Sequence, residues 1–251
     1  MTFDRKLEYQ FGVTLAVQDA KLSEEVLRAL PGFFEPKTKL GDPAGGELVV
    51  QEGAGARRLP TVVWGTGGVF RLALSPVRLD AFVDAAQYES VAERPLSLEA
   101  ARDRMVPGLI RAAESLVASG FTIQRLAVIL NGETSADATK TDALESIADY
   151  CFADRVLAAV REGEVIDLGA RIDHGGAVDL GTGTPVSLHR IENLGTSLNY
   201  TGAQLTLTTR ITLDVNTSPS RGTETIPLEL FEAFYKTACD WIESRLEEVP
   251  R

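Results

Sequence analysis

IPLELFEAFYKTACDWIESRLEE, residues 226–248, is the stretch whose reading decides the fold. Leu228, Phe231, Tyr235, Ala238, Ile242 and Leu246 recur at steps of three and four, so at about 100° per residue they share one face of a helix. Glu229, Lys236, Asp240, Glu243 and Glu247 share another, and Phe234 and Trp241 widen the apolar stripe. The spacing predicts a long amphipathic helix laid on a core. SLEAARDRMVPGLIRAAESLVAS, residues 97–119, matches it at a fixed offset. Leu98 falls against Leu228, Glu99 against Glu229, Ala101 against Phe231, Met105 against Tyr235, Ala112 against Ile242 and Leu116 against Leu246. That pairing predicts a chain built twice, with halves at 1–120 and 121–251.

The segments before each helix repeat an order as well. Residues 7–17 read as a strand, with Phe11, Val13, Leu15 and Val17 alternating onto one face. Ser23 caps a short helix that Pro31-Gly32 stops, and the Pro- and Gly-rich residues 35–46 mark a loop. Strand-like runs follow at 47–51, 61–64, 69–74 and 78–88, spaced as in an antiparallel meander. Within the last run, LDAFVDAAQY suits a short helix equally. Ser97 is the expected cap of the first long helix, and Pro107 inside it is expected to kink or break it. From Gly120 the order restarts: a strand at 121–130, a helix at 141–160, then strands at 165–172, 185–194 and 203–216. Turns are expected at His174-Gly175-Gly176, at 181–183 and at 199–202. Residues 204–213 alternate cleanly, as a strand with one wet face does.

Strand, helix, several strands, long helix, taken twice, predicts an α+β fold. It would be a tandem duplicated antiparallel sheet with a long helix on each half, of TBP-like or helix-grip type, joined edge to edge into one continuous curved sheet. The competing reading is a single unduplicated α+β domain whose two helices match only because amphipathic helices share a pattern. The order of elements resembles a sporadically distributed family of bacterial proteins of about 250 residues and unknown function. The resemblance rests on layout, implies a bacterial accessory protein, and brings no catalytic residue with it.

Composition narrows the classes. With 251 residues, 44% of them hydrophobic and 24% charged, the chain has room for a real core and reads as an ordinary globular protein. Its net charge of −11 repels phosphate backbones, so nucleic-acid binding would need a local basic patch. Arg57-Arg58 and the scattered Arg94, Arg102, Arg104 and Arg111 are too thin for one. Cys151 and Cys239 fall on apolar helix faces and read as buried free thiols. The N-terminal residues carry no apolar secretory core, and no apolar run approaches the roughly 18 residues of a membrane span. A cytoplasmic location is therefore expected.

Motifs for chemistry are scarce. The glycine clusters at 41–46, 65–68 and 181–183 lack the lysine and strand-to-helix setting of a phosphate loop. No Gly-x-Ser-x-Gly elbow occurs. The two histidines, His174 and His189, would have to be brought to Asp173 and Glu192 by the fold to bind metal, and no spacing points to it. No metal and no cofactor is expected. Asp173 with His174 is the nearest thing to an acid–base centre, because Gly175-Gly176 after it leaves backbone room for a ligand; as plain turn residues, Asp173 would bond the turn backbone. No carboxylate is expected within an apolar run. Trp64, Phe70, Tyr88 and Tyr200 beside glycine turns and strand ends, with Arg171 and His189, are the candidate contact residues for a ligand or partner, the aromatics reading more often as the lid on a core. The expectation is a non-catalytic binding or assembly protein with a protein partner or self-association. Its bacterial setting would be defence or toxin neutralisation. The alternative is a small-ligand carrier or enzyme with a pocket between helix and sheet.

Overall fold

The computed structural model describes residues 5–17, 23–34, 49–50, 60–65, 68–135, 168–183, 185–201, 204–217 and 225–248. Its strands are β1 (Arg5–Val17), β2 (Val49–Val50), β3 (Pro60–Trp64), β4 (Phe70–Ser75), β5 (Arg78–Asp84), β6 (Phe121–Ser135), β7 (Gly169–Asp179), β8 (Pro185–Thr201) and β9 (Gln204–Thr217). Its helices are α1 (Glu24–Ala29), α2 (Ala85–Ala92), α3 (Leu98–Ala118) and α4 (Phe231–Glu248). The strands form one open antiparallel sheet in the order β2-β3-β4-β5-β1-β6-β9-β8-β7. The predicted helix at 141–160, with Cys151, the loop at 35–46 and Arg57-Arg58 lie outside the described residues.

β1 and β6 form the middle of the sheet and pair from Arg5↔Thr134 to Val17↔Phe121, with one bulge at Thr14/Leu15. Alternation puts Tyr9, Phe11, Val13 and Leu15 of β1 with Leu126, Val128 and Leu130 of β6 on one face, all buried. Both long helices cover that face. They run antiparallel side by side: the Glu99 amide at the start of α3 donates to Glu243 in the second half of α4. The residues matched at the constant offset face the core together, for Ala101 and Phe231, Met105 and Tyr235, and Ala112 and Ile242 are all fully buried. Tyr235 reaches through to donate its hydroxyl to the Gly12 carbonyl (3.0 Å), and Tyr9 does the same to Leu96 (3.0 Å). Burial pushes the Tyr9 phenol up to about 12 and the buried Cys239 thiol likewise to about 12, so neither ionises at neutral pH.

Local chemistry sets the ends of the elements. Ser23, Asp84 and Ser97 accept from the first-turn amides of α1, α2 and α3. Because Asp84 caps a helix, the run expected as one strand over 78–88 divides into β5 and α2. Pro107 does not break α3, which runs unbroken through it. Pro107 and Asp103 are both exposed, so the carbonyl that loses its partner faces water. The turn expected at His174-Gly175-Gly176 is also corrected: β7 runs straight through it, paired with β8 from Gly169↔Gly195 to Asp179↔Pro185. The chain reverses later, where Gly181 and Gly183 adopt positive φ and the Asp179 carboxylate accepts from both amides. Among the described residues, no helix is long and apolar enough to cross a membrane.

Gly108 in α3 presses on buried Phe34, where a Cβ would lie 2.5 Å from the ring. Gly108→Ala gains helix propensity of about 1 kcal/mol but forces the ring aside at about 1–3 kcal/mol. The expected outcome is a net loss of stability in chemical denaturation; a gain would show that α3 can move off Phe34.

Candidate functional site

The chemistry-bearing side chains gather on β7 and β8, and strand parity sorts them. Odd-numbered residues there face the side of the sheet away from α3 and α4, and even-numbered ones face α4. Asp173 and His174, adjacent in sequence, therefore stand on opposite faces. On the open face Arg171 donates through Nε to Asp173 Oδ2 (3.0 Å), and His189 Nε2 lies 3.7 Å from Asp173 Oδ1. The hydrogen bond from Arg171 holds the Asp173 carboxyl below the usual carboxylate range. Asp173 thus bonds a side chain, not the backbone of a turn.

On the helix face His174 Nε2 is 3.1 Å from Glu192 Oε1. Arg245 of α4 clamps the same carboxylate, Nε to Oε1 at 2.8 Å and Nη2 to Oε2 at 3.2 Å, and also pairs with Glu248. Glu192 is completely buried, whereas His174 keeps 43% of its side chain exposed and sets its ring edge-on to Trp241, centroids 6.3 Å apart. Sequence reading coupled His174 with Asp173 and His189 with Glu192, and the fold exchanges the partners. It also buries Glu192, a carboxylate not singled out from the sequence. The signal was present: Leu188, Arg190, Glu192 and Leu194 alternate, so the apolar parity of β8 carries Glu192 inward. Arg190, opposite His174 in the ladder, keeps a buried Nε without a hydrogen-bond partner.

A second buried carboxylate was also missed. Asp80 of β5 accepts from Gln10 Nε2 (2.9 Å) and Arg78 Nε (2.7 Å), beside Gly12, where any side chain would strike them. Desolvation raises its pKa even so, because it outweighs the nearby guanidinium and the two hydrogen bonds.

Three of the aromatic candidates lie in the core, as lids on it rather than exposed contacts. Trp64 is fully buried, and Phe70 and Tyr88 are buried with their rings edge-on at 6.4 Å. All three sit under the helix layer because β3, β4 and α2 turn their apolar sides to the core. Tyr88 keeps a polar contact: Arg94 and Arg104 donate to its hydroxyl (3.2 and 3.3 Å), and the bond from Arg94 leads in pulling its phenol below the usual value. Tyr200 stands near the end of β8, opposite Leu205 in the ladder. Among the described residues, the side chains between helices and sheet form one continuous apolar cluster. A cleft of about 390 Å³ lies where α3 and α4 meet, lined by Arg102, Asp103, Val106, Pro107, Glu232 and Lys236 among others. Among the described residues no three histidines, cysteines or carboxylates converge as metal ligands. The chain matches no model of a known protein family, and no curated protein shows significant sequence similarity to it.

The Glu192–Arg245 pair ties the C-terminal turn of α4 to β8. Arg245→Met strips the two-point guanidinium clamp from a buried carboxylate, leaving it His174, and is expected to cost about 3 kcal/mol in urea denaturation, with Arg245→Met/Glu192→Leu regaining most of it. No recovery in the double variant would assign the loss to packing. For Asp80 the sign is opposite to that of an ordinary ion-paired acid. Its folded pKa is raised, so the folded state binds the proton more tightly, and stability declines as pH climbs from about 4 through the raised value. Asp80→Asn is expected to flatten that decline in melting curves taken from pH 4 to 7.

Proposed function

We propose that the chain is a non-catalytic binding or assembly protein that acts through protein–protein contacts at β7, the terminal strand of its sheet among the described residues. One observation carries the reading. Gly175 and Gly176 sit in the middle of an edge strand, and nothing among the described residues calls for glycine there. Neither has a positive φ, and a Cβ at either would meet nothing within 4 Å. Glycine inside a strand costs about 0.5–1 kcal/mol and often marks close approach of another backbone. Outside β8, β7 has no neighbour among the described residues, so its outward amides and carbonyls offer a ladder for an added strand.

Internal duplication belongs to the same proposal. β1, β3, β4, β5 and α3 of residues 1–120 have counterparts in β6, β7, β8, β9 and α4 of residues 121–251, and the two sets lie in mirrored order about the β1–β6 seam. On this TBP-like or helix-grip reading, β7 is the exposed equivalent of β3. The layout's resemblance to bacterial accessory proteins makes a defence or toxin-neutralising role the setting in which such an edge would work. The alternative, a ligand carrier or enzyme with a pocket between helix and sheet, would need room within the apolar cluster that joins them.

Successive strand residues point their amides to opposite sides, so of Gly175 and Gly176 one bonds β8 and the other faces outward. Gly175→Pro and Gly176→Pro therefore form a matched pair, one of which leaves the β7–β8 ladder intact. Native mass analysis of the protein isolated from its source cells is expected to show a stoichiometric protein complex. The proline variant with unchanged melting is expected to lose it. A bare chain, or a complex that survives both prolines, would overturn the reading.

A further inference from the structure

Resting on β7 as the contact edge, we infer that its partner is a second copy of this chain, paired β7 to β7 in one antiparallel register centred on Gly175. Two such edges join through a twofold axis perpendicular to the sheet, so both helix layers stay on the same side. Antiparallel neighbours that stand directly opposite point to the same face, and a register centred on Gly175 obeys this along the strand. Arg171 then stands opposite Asp179 of the copy, and Asp179 opposite the copy's Arg171, all on the open face. Ile172 stands opposite Val178, both half-buried on the helix face, a β-branched pair that suits a ladder. His174, whose side chain is 43% exposed, meets only Gly176 of the copy, and Gly175 meets Gly175.

Neighbouring registers lose the Arg171–Asp179 pairing. Centring on His174 sets the two His174 rings against each other and leaves Arg171 opposite Ala177. Centring on Gly176 or on Asp173 puts Asp173 opposite the copy's Asp179 or opposite its own counterpart, and like charges directly opposite destabilise a pair. Arg171 and Asp179 are both exposed, and Arg171 already shares its guanidinium with Asp173. The added carboxylate therefore completes a charge cluster already begun. The same charges blunt pairing with unrelated strands, which is how natural edges avoid open-ended aggregation.

The register is read by cysteine. In a twofold pairing only the central residue faces itself, so Gly175→Cys is expected to form an intermolecular disulfide under mild oxidation. Its Cα atoms would lie about 4.5–5.5 Å apart, within disulfide range. Ala177→Cys, which would face Asp173, is expected not to crosslink. The wild-type chain, with Cys151 and the buried Cys239, is oxidised in parallel as the baseline. Sedimentation of the purified recombinant chain is expected to show a dimer that Arg171→Asp weakens roughly tenfold, from the loss of two symmetric charge pairs. Asp179→Asn keeps the oxygen that accepts from Gly181 and Gly183 while removing the charge, and is expected to weaken the dimer by about threefold. A monomer at concentrations of about 100 µM would overturn self-pairing, as would crosslinking of His174→Cys in place of Gly175→Cys. If such a monomer still takes up a different protein that the ladder-preserving proline releases, the edge reading stands and the second copy alone is refuted.

Discussion

Everything in this fold leans on the seam between β1 and β6. The pairing spans all of β1, and its alternation decides which face of the sheet is dry at its centre. Slipping it by one residue would turn Tyr9, Phe11 and Val13 out to water and bring Glu8, Gln10 and Gly12 under the helices. Two tyrosines guard against that slip. Tyr235 fixes α4 to the backbone of β1 at Gly12, and Tyr9 fixes β1 to the approach to α3 at Leu96. A buried hydroxyl left without its acceptor costs about 1–3 kcal/mol, so these bonds specify register as well as adding stability.

The two helices that cover the seam differ in bulk and fit because they do. α3 brings Ala101, Gly108, Ala112 and Ala113 to the core, small enough for Phe34 to lie against its backbone. α4 brings Phe231, Phe234 and Tyr235, whose rings meet edge to face at 5.3 to 6.2 Å. At the far end of α4 the apolar packing gives way to the Glu192–Arg245 pair, so the same helix is held by rings at its start and by charge at its finish.

How much of this was legible follows from which signals are local. The period of 3.6 in residues 97–119 and 226–248 is written in the sequence, and both helices form with the expected inner faces. Strand existence was similarly plain from alternation. Parity and edge position were not. His174-Gly175-Gly176 carries every local mark of a turn, yet it runs extended because β8 supplies a ladder, and edge position is a property of the whole sheet. Trp64 and Phe70 beside glycines look like anchors for a partner until the helix layer that covers them is known. Glu192 was missed because a carboxylate reads as wet unless the residues two before and two after it are weighed for the side they face, and Asp80 because Gln10 and Gly12, which enclose it, come from the neighbouring strand.

The central seam also joins parts of the chain made far apart in time. β1 meets β5 early, but its other flank waits for residues 121–134, and the Tyr235 hydroxyl that locks Gly12 is 223 positions away. At translation rates of about 5–20 residues per second, that second flank stays unpartnered for roughly 5–20 s on the ribosome. During that interval the nascent half presents a raw strand flank beside Phe11 and Val13, the kind of surface that chaperones capture. Synthesis therefore passes through a vulnerable stage that the finished sheet conceals, because the strand most deeply enclosed at the end is the one left waiting longest.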